Sequence, residues 1–429
     1  MRRIKKWATN ICLLILTCIV SFLISEFILR LKEYKKPPNF SLAYRYYFKP
    51  DSELGYDIQE NFPKTKAHIE GNYFYEFWSN ELGCFDTPYK EQVDYILLLG
   101  DSFTHLFAPF KDKWGTIAQN ILDFRVLQCG VVGYGTKQEF LKAKKIISKI
   151  KRPPKLIIIG YHINDFTEDY LFPSTTVVKG FTVATFKISD IKSGVVTRKD
   201  ILTLEKELEE YEKSQNNNDS FLTAVKSWFL KNSILCNKVK EIIRNIFHIL
   251  LYRPKQEATR PVPPPPIPPG YWFFGFLSLP ENEYPWLKKG WGIHFANFRA
   301  FKRLADNLGT NLLVVIIPAK HQIYFPQQLK DNGIDLDTPI RKLCKFFERE
   351  KIAYIDLQPL FKRYAKHDSH NSLDPEKDLY WRIDGHWNKK GSHLAGLLVS
   401  DYIVENNLIP VQNKDKKLRE IKEQLKEFE

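Results

Sequence analysis

From residue 93 onward the chain alternates uninterrupted apolar runs with amphipathic ones, and this constrains its fold more than any other feature. "DYILLLG" (94–100), "RVLQCGVVG" (125–133), "PKLIIIGYHIND" (154–165) and "TNLLVVIIPAK" (310–320) read as strands. Between them "DKWGTIAQNIL" and "TKQEFLKAKKIISKI" read as helices, and "TPIRKLCKFFEREK" and "IAYIDLQPLF" continue the rhythm as helix and strand. Strands apolar at every position are buried on both faces. The expectation is an α/β three-layer sandwich with a central parallel sheet.

The rhythm divides the chain. Residues 1–33 form an N-terminal segment and 34–92 an aromatic lead-in of short strands and turns. Residues 93–175 and 295–405 are two parts of one sheet domain, with a helix expected over 295–307. Residues 176–294 are an insertion. It holds an exposed helix in "RKDILTLEKELEEYEKSQNNND", a basic amphipathic helix over 221–250, the polyproline spacer "PVPPPPIPPG" and an aromatic stretch. It reads as packing or a family spacer, with a lid or substrate-binding wall as the functional alternative. Residues 406–429 read as a charged, solvated helical tail.

The N-terminus carries "MRRIKK" followed by nineteen uncharged residues, Trp7 to Ser25. As a helix they span about 28 Å, close to a bilayer core. An uncleaved membrane anchor, ending near Leu29, fits better than a signal peptide, whose apolar stretch is shorter. The preceding basic residues place the N-terminus in the cytoplasm and the body of the chain in the periplasm or outside the cell. The net charge of +14 suits an anionic partner, but the basic residues form no dense stripe and no nucleic-acid module is present. Six cysteines are too scattered for a disulfide framework or a zinc site. Cys12 and Cys18 fall in the apolar segment and Cys129 in a predicted strand, which leaves Cys84, Cys236 and Cys344 as candidates for pairing.

Each early strand ends in chemistry: Gly100-Asp101-Ser102, then Gly133, then Asn164-Asp165. The fragment "RIDGHWN" adds Asp384 and His386 just before the last long helix. In a parallel sheet such strand ends share one edge, where ligands bind. Taken singly, Gly-Asp-Ser reads as a turn or cap, Gly133 as a tight turn, Asn164-Asp165 as a cap and Asp-Gly-His as a surface turn. Their order along the chain favours a site.

That set resembles the SGNH (GDSL-type) hydrolase family over residues 80–175 and 295–405. The resemblance implies an SGNH/flavodoxin-like sheet, with Ser102 as nucleophile, His386 as base and Asp384 as its orienting acid. The N–H groups of Ser102 and Gly133 and the Asn164 amide would form an oxyanion hole. The family's aspartate usually lies three residues before the histidine; here it lies two before. That spacing, followed by Trp-Asn, resembles the branch of alginate-type O-acetyltransferases and anchored exopolysaccharide-linked proteins. Gln128 replaces a common asparagine, and His105-Leu106-Phe107 follows Ser102 where relatives often carry glycine, which would crowd the pocket mouth. His162 reads as a site-lining or a structural histidine, and Lys320 as structural.

The implied activity is ester hydrolysis or acetyl transfer through an acyl-enzyme, on cell-envelope or exported polysaccharide, with no metal or organic cofactor. The implied partners are the cytoplasmic membrane, an acylated carbohydrate or other ester, and envelope polysaccharide machinery. Alternatives are a lipid esterase or phospholipase, and a non-catalytic envelope assembly or glycan-binding protein that keeps the fold.

Overall fold

A computed structural model describes residues 17, 21, 44–69, 73–90, 93–190, 192–216, 275–365, 377–382 and 384–429. The chain forms two compact units, one of Met1–Pro37 with Glu205–Pro264 and one of Pro38–Leu204 with Pro265–Glu429. In the first unit only Thr17, Ser21 and helical residues 205–216 are described. The expected membrane span from Trp7, the helix over 221–250, the polyproline spacer and Cys236 lie outside the described residues. Among the described residues no helix is long and apolar enough to cross a membrane.

The second unit opens with two antiparallel hairpins, β1 (Phe48–Asp51) with β2 (Gly55–Ile58), and β3 (Thr65–His68) with β4 (Phe74–Phe77). The sheet domain then runs β5 (Tyr95–Gly100), α1 (Ser102–His105), α2 (Trp114–Leu122), β6 (Arg125–Gln128), α3 (Thr136–Ile150), β7 (Leu156–His162) and α4 (Asp165–Leu171). Two further hairpins follow, β8 (Thr175–Val178) with β9 (Phe181–Ala184) and β10 (Phe186–Asp190) with β11 (Val195–Arg198). The exposed helix read from the sequence is α5 (Ile201–Asn216). After α6 (Trp286–Leu308) come β12 (Asn311–Ile317), α7 (Lys320–Tyr324), α8 (Pro326–Asp331), α9 (Asp337–Glu350), β13 (Ala353–Asp356), α10 (Leu357–Tyr364), α11 (Lys389–Glu405) and α12 (Lys414–Leu425).

The central sheet is parallel and five-stranded, in the order β13-β12-β7-β5-β6. Alternation along its strands builds the three layers. Leu97, Leu99, Ile157, Ile159, Val314 and Ile316 face α3, α6 and α9 in one apolar core. Ile96, Leu98, Ile158, Leu313, Val315 and Ile317 face α2, α10, α11 and α12 in the other. Register sets Gly100 beside Gly160 and His162 beside Ile317, so the strands end together on one edge.

Several expectations need correcting. The helix expected at 295–307 begins at Trp286, because Trp286, Leu287, Gly290 and Trp291 extend its buried stripe by two turns. The tail is not simply solvated: Ile421 and Leu425 of α12 and Phe428 beyond it are buried against the α2–α11 side. Cys129 does not extend the second strand; it follows β6 and forms a disulfide with Cys84, with Cα atoms 4.5 Å apart. Cys344 is a free, half-buried thiol. The disulfide joins the lead-in to the sheet edge. The lead-in also packs there through Tyr44, Tyr47, Tyr56 and Phe77, which share a core with Phe107, Val131 and Tyr134.

Candidate active site

Ser102 stands one residue past β5. Gly100 enables the turn, since its φ of 148° suits glycine and a Cβ there would lie 2.1 Å from Thr104 Oγ1. Buried Asp101 caps the following turn by accepting the Phe103 N–H at 2.9 Å. Ser102 is thus raised at the strand end, with its hydroxyl 2.7 Å from His386 Nε2 and 3.3 Å from Asp101 Oδ2. A single hydroxyl proton serves one acceptor well, and the shorter contact is to the imidazole.

His386 comes from the other end of the chain on a loop pinned at both sides. Tyr380 and Trp387 form an antiparallel bridge, Trp381 N–H donates to His386 O at 3.1 Å, and Asn388 N–H donates to Leu379 O at 3.0 Å. Asn388 also caps α11, accepting from the N–H groups of Lys390 and Gly391. Asp384 Oδ1 accepts the His386 backbone N–H at 2.8 Å and lies 2.5 Å from His386 Nδ1. One carboxylate therefore fixes both the turn and the ring, which is how a two-residue spacing suffices. With the proton on Nδ1, Nε2 is left to accept from Ser102.

The electrostatics match this geometry. Burial tends to raise the Asp384 carboxyl, but the His386 charge and hydrogen bonds outweigh it and bring it down to about 2. Burial tends to lower His386, yet the Asp384 carboxylate overrides it and the imidazole lies above its ordinary value. Phe103 and Phe107 flank the ring, with centroids 4.7 and 4.9 Å from it. The crowding expected of His105-Leu106-Phe107 takes this form: Phe107 packs edge-on to His386, while fully buried His105 points to the Tyr47 hydroxyl at 3.1 Å.

Gly133 and Asn164 lie at the ends of the neighbouring strand segments, and neither is hydrogen-bonded to Ser102. Val131 N–H donates to Gly100 O at 2.9 Å, which ties the glycine loop to the nucleophile turn. Gly133 has φ +76° and packs so that a Cβ would meet Tyr56 Oη at 2.9 Å. Asn164 precedes α4 but makes no side-chain cap. Its carbonyl oxygen instead pairs with His162 Nδ1, and His162 stacks on Phe103 at 4.5 Å. Among the described residues the Asn164 NH₂ has no protein acceptor, so it is oriented but uncommitted. Gln128 is structural: its amide donates to Thr116 Oγ1 at 2.9 Å.

Two features went unread in the sequence. Behind the turn, Glu139 and Asp165 are fully buried with all four carboxyl oxygens unpartnered, and Asp169 pairs with His294 at 2.6 Å. The second is the set of contacts of Lys320, described below. The only sequence signal for either is a charged residue at an otherwise apolar position of a helix or strand end. Among the described residues no cluster of three or more His, Cys, Asp or Glu is placed to hold a metal ion.

Residues 293–427 match the family model described as SGNH hydrolase-like domain, acetyltransferase AlgX. That stretch contains Asp384 and His386, while Ser102, Gly133 and Asn164 precede it. No curated protein matches the chain. Similar solved structures include a G-D-S-L family protein from Desulfitobacterium hafniense DCB-2, 10% identical, with a TM-score of 0.31, covering 71% of this chain and 97% of that one. A GDSL-like lipase from Bacteroides thetaiotaomicron VPI-5482 is 9% identical, with a TM-score of 0.30, covering 73% of this chain and 89% of that one. The match to the SGNH hydrolase-like family model thus covers residues 293–427, about the C-terminal third of the chain.

Proposed function

We propose that the protein is a serine-dependent acyl-transfer enzyme, either an ester hydrolase or an O-acetyltransferase. The observation that carries this reading is the relay from Asp384 through His386 to Ser102, at 2.5 and 2.7 Å. As Ser102 Oγ attacks the acyl carbonyl, its proton passes to His386 Nε2 and then to the departing alcohol oxygen. The acyl-enzyme is resolved when water or a sugar hydroxyl attacks and its proton returns through His386 to Ser102. The N–H groups of Ser102 and Gly133 with the Asn164 amide serve the oxyanion, each such donor typically being worth about 3–4 kcal/mol of barrier.

The proposed substrate is an acylated carbohydrate of the cell envelope or an exported polysaccharide, in keeping with the acetyltransferase-type family model. The proposed location is the outer side of the cytoplasmic membrane, anchored by the apolar run from Trp7. The Cys84–Cys129 disulfide supports an oxidising compartment. A substrate panel tests the activity: acetylated sugars should be deacetylated or serve as donors, and long-chain acyl esters should not. Preference for long-chain esters would make it a lipid esterase, and inactivity toward both would favour a binding role. For topology, a reporter fused after Glu429 should be active only outside the cytoplasm; cytoplasmic activity would contradict the anchor.

A further inference from the structure

Lys320 begins α7, directly after β12 and Pro318-Ala319. It is only 7% exposed, and its ammonium turns toward the histidine loop rather than to solvent. There Nζ donates to three backbone carbonyls: Asp384 at 2.8 Å, Trp381 at 3.2 Å and Arg382 at 3.4 Å. These carbonyls surround the segment whose conformation sets the Asp384–His386 pair. A neutral side chain could fill the space, but it would leave these acceptors without the cation that draws them together.

We propose that Lys320 is a positioning residue for the Ser102–His386 pair, anchoring the histidine loop to the sheet edge and setting a positive charge beside the ring. The inference rests on the acyl-transfer reading above. Several charged or titratable groups act on this pair. Asp384 belongs to the loop itself, Asp101 to the turn after β5, His105 to α1 and His162 to the end of β7, and Tyr75 of β4 acts on Asp384. Asp384 and Asp101 favour the imidazolium. Lys320 opposes them at the ring while helping to keep Asp384 ionised. Its position therefore does two things that a purely structural lysine would not: it sets the loop and it limits how far the two carboxylates raise the histidine.

The test is the pH dependence of Ser102 labelling by a fluorophosphonate, which needs no knowledge of the substrate. In that reaction the Oγ–P bond forms, the P–F bond breaks, fluoride leaves and the Ser102 proton passes to neutral His386. In full-length Lys320→Met the acid limb of the rate should move up by about 0.5–1 pH unit, as expected when a repelling charge is removed. The plateau rate should fall by about 10²-fold as the loop shifts. Lys320→Arg, which keeps the charge, should leave the limb where it is in the native protein. Lys320→Gln, an uncharged donor, should move it as Met does. An unmoved limb in a cooperatively melting Met or Gln variant would overturn the proposal. So would loss of cooperative melting in both neutral variants, which would assign Lys320 to folding alone. Failure of the native protein to label at all would instead overturn the acyl-transfer reading.

Discussion

Two sets of ionisable groups lie near Asp101-Ser102, one half-buried and one fully buried, and desolvation has opposite outcomes in them. In Ser102, His386 and Asp384 the polar atoms pair with one another, and the carboxylate is held well below its usual range by the histidine. In Glu139 and Asp165 the carboxyl oxygens have no partner; burial first, and then the neighbouring acids, push both carboxyls up. Buried carboxyls left this way stay neutral, since an uncompensated charge would be far more costly. The difference teaches that burial alone does not make a working acid or base. A partner at hydrogen-bond distance, on a loop pinned at both sides, makes the half-buried Asp384 carboxylate an orienting charge.

The largest expected effects break the paired set. Ser102→Ala removes the nucleophile and His386→Ala the base. Because they act as a unit, the double variant should be scarcely slower than either single one when turnover is measured. Additive losses would separate the two residues. Asp384→Asn keeps the histidine but favours the wrong tautomer, so its turnover loss should fall between that of His386→Ala and that of Asn164→Ala. Its acid limb should move to lower pH, because the charge that raises His386 is gone. Asn164→Ala should lower turnover by roughly 10²–10³ with little change in apparent affinity, since an oxyanion donor acts in the transition state. The side chain makes no cap but is the partner of buried His162 Nδ1, so the variant's melting temperature should fall only modestly beside the loss of turnover. A destabilised but fully active variant would remove Asn164 from the site.

Smaller effects sharpen the other side of the comparison. Replacing Cys84 and Cys129 by serine should cost about 4 kcal/mol of unfolding free energy, from the loop the bridge closes across 45 residues of sequence. Denaturant titration checks this. Glu139→Gln addresses the unpaired carboxyls. A carboxyl raised in the folded state gives most stability below its unfolded value near 4.5, and that stability is lost as pH climbs toward the folded value. The glutamine variant should lack this loss, so its stability relative to the native protein should rise as pH climbs above the unfolded value. Parallel stability curves would mean Glu139 is not held neutral.

Ser102 was legible because it stands at the polar end of an apolar strand, and Asp384 and His386 because a polar Asp-Gly-His stands just before a long apolar helix. What was illegible depended on distance through space. Asp165 reads as a helix cap and Glu139 as an ordinary helix charge until α3 and α4 are packed on the sheet. Cys129 is one residue past β6, and only the folded lead-in brings Cys84 to it. The tail reads as solvated because its charges dominate, yet Ile421, Leu425 and Phe428 form a stripe that α2 and α11 cover. Lys320 was visible as a lysine at a strand end, but its three carbonyl partners lie some sixty residues downstream.

The most direct measurement of the central claim is mass spectrometry of the native protein after reaction with a fluorophosphonate at neutral pH. The account predicts one adduct per chain, on the peptide containing Ser102, abolished in Ser102→Ala and strongly slowed in His386→Ala. An unmodified Ser102 in folded protein, or labelling that proceeds at the native rate without His386, would contradict it.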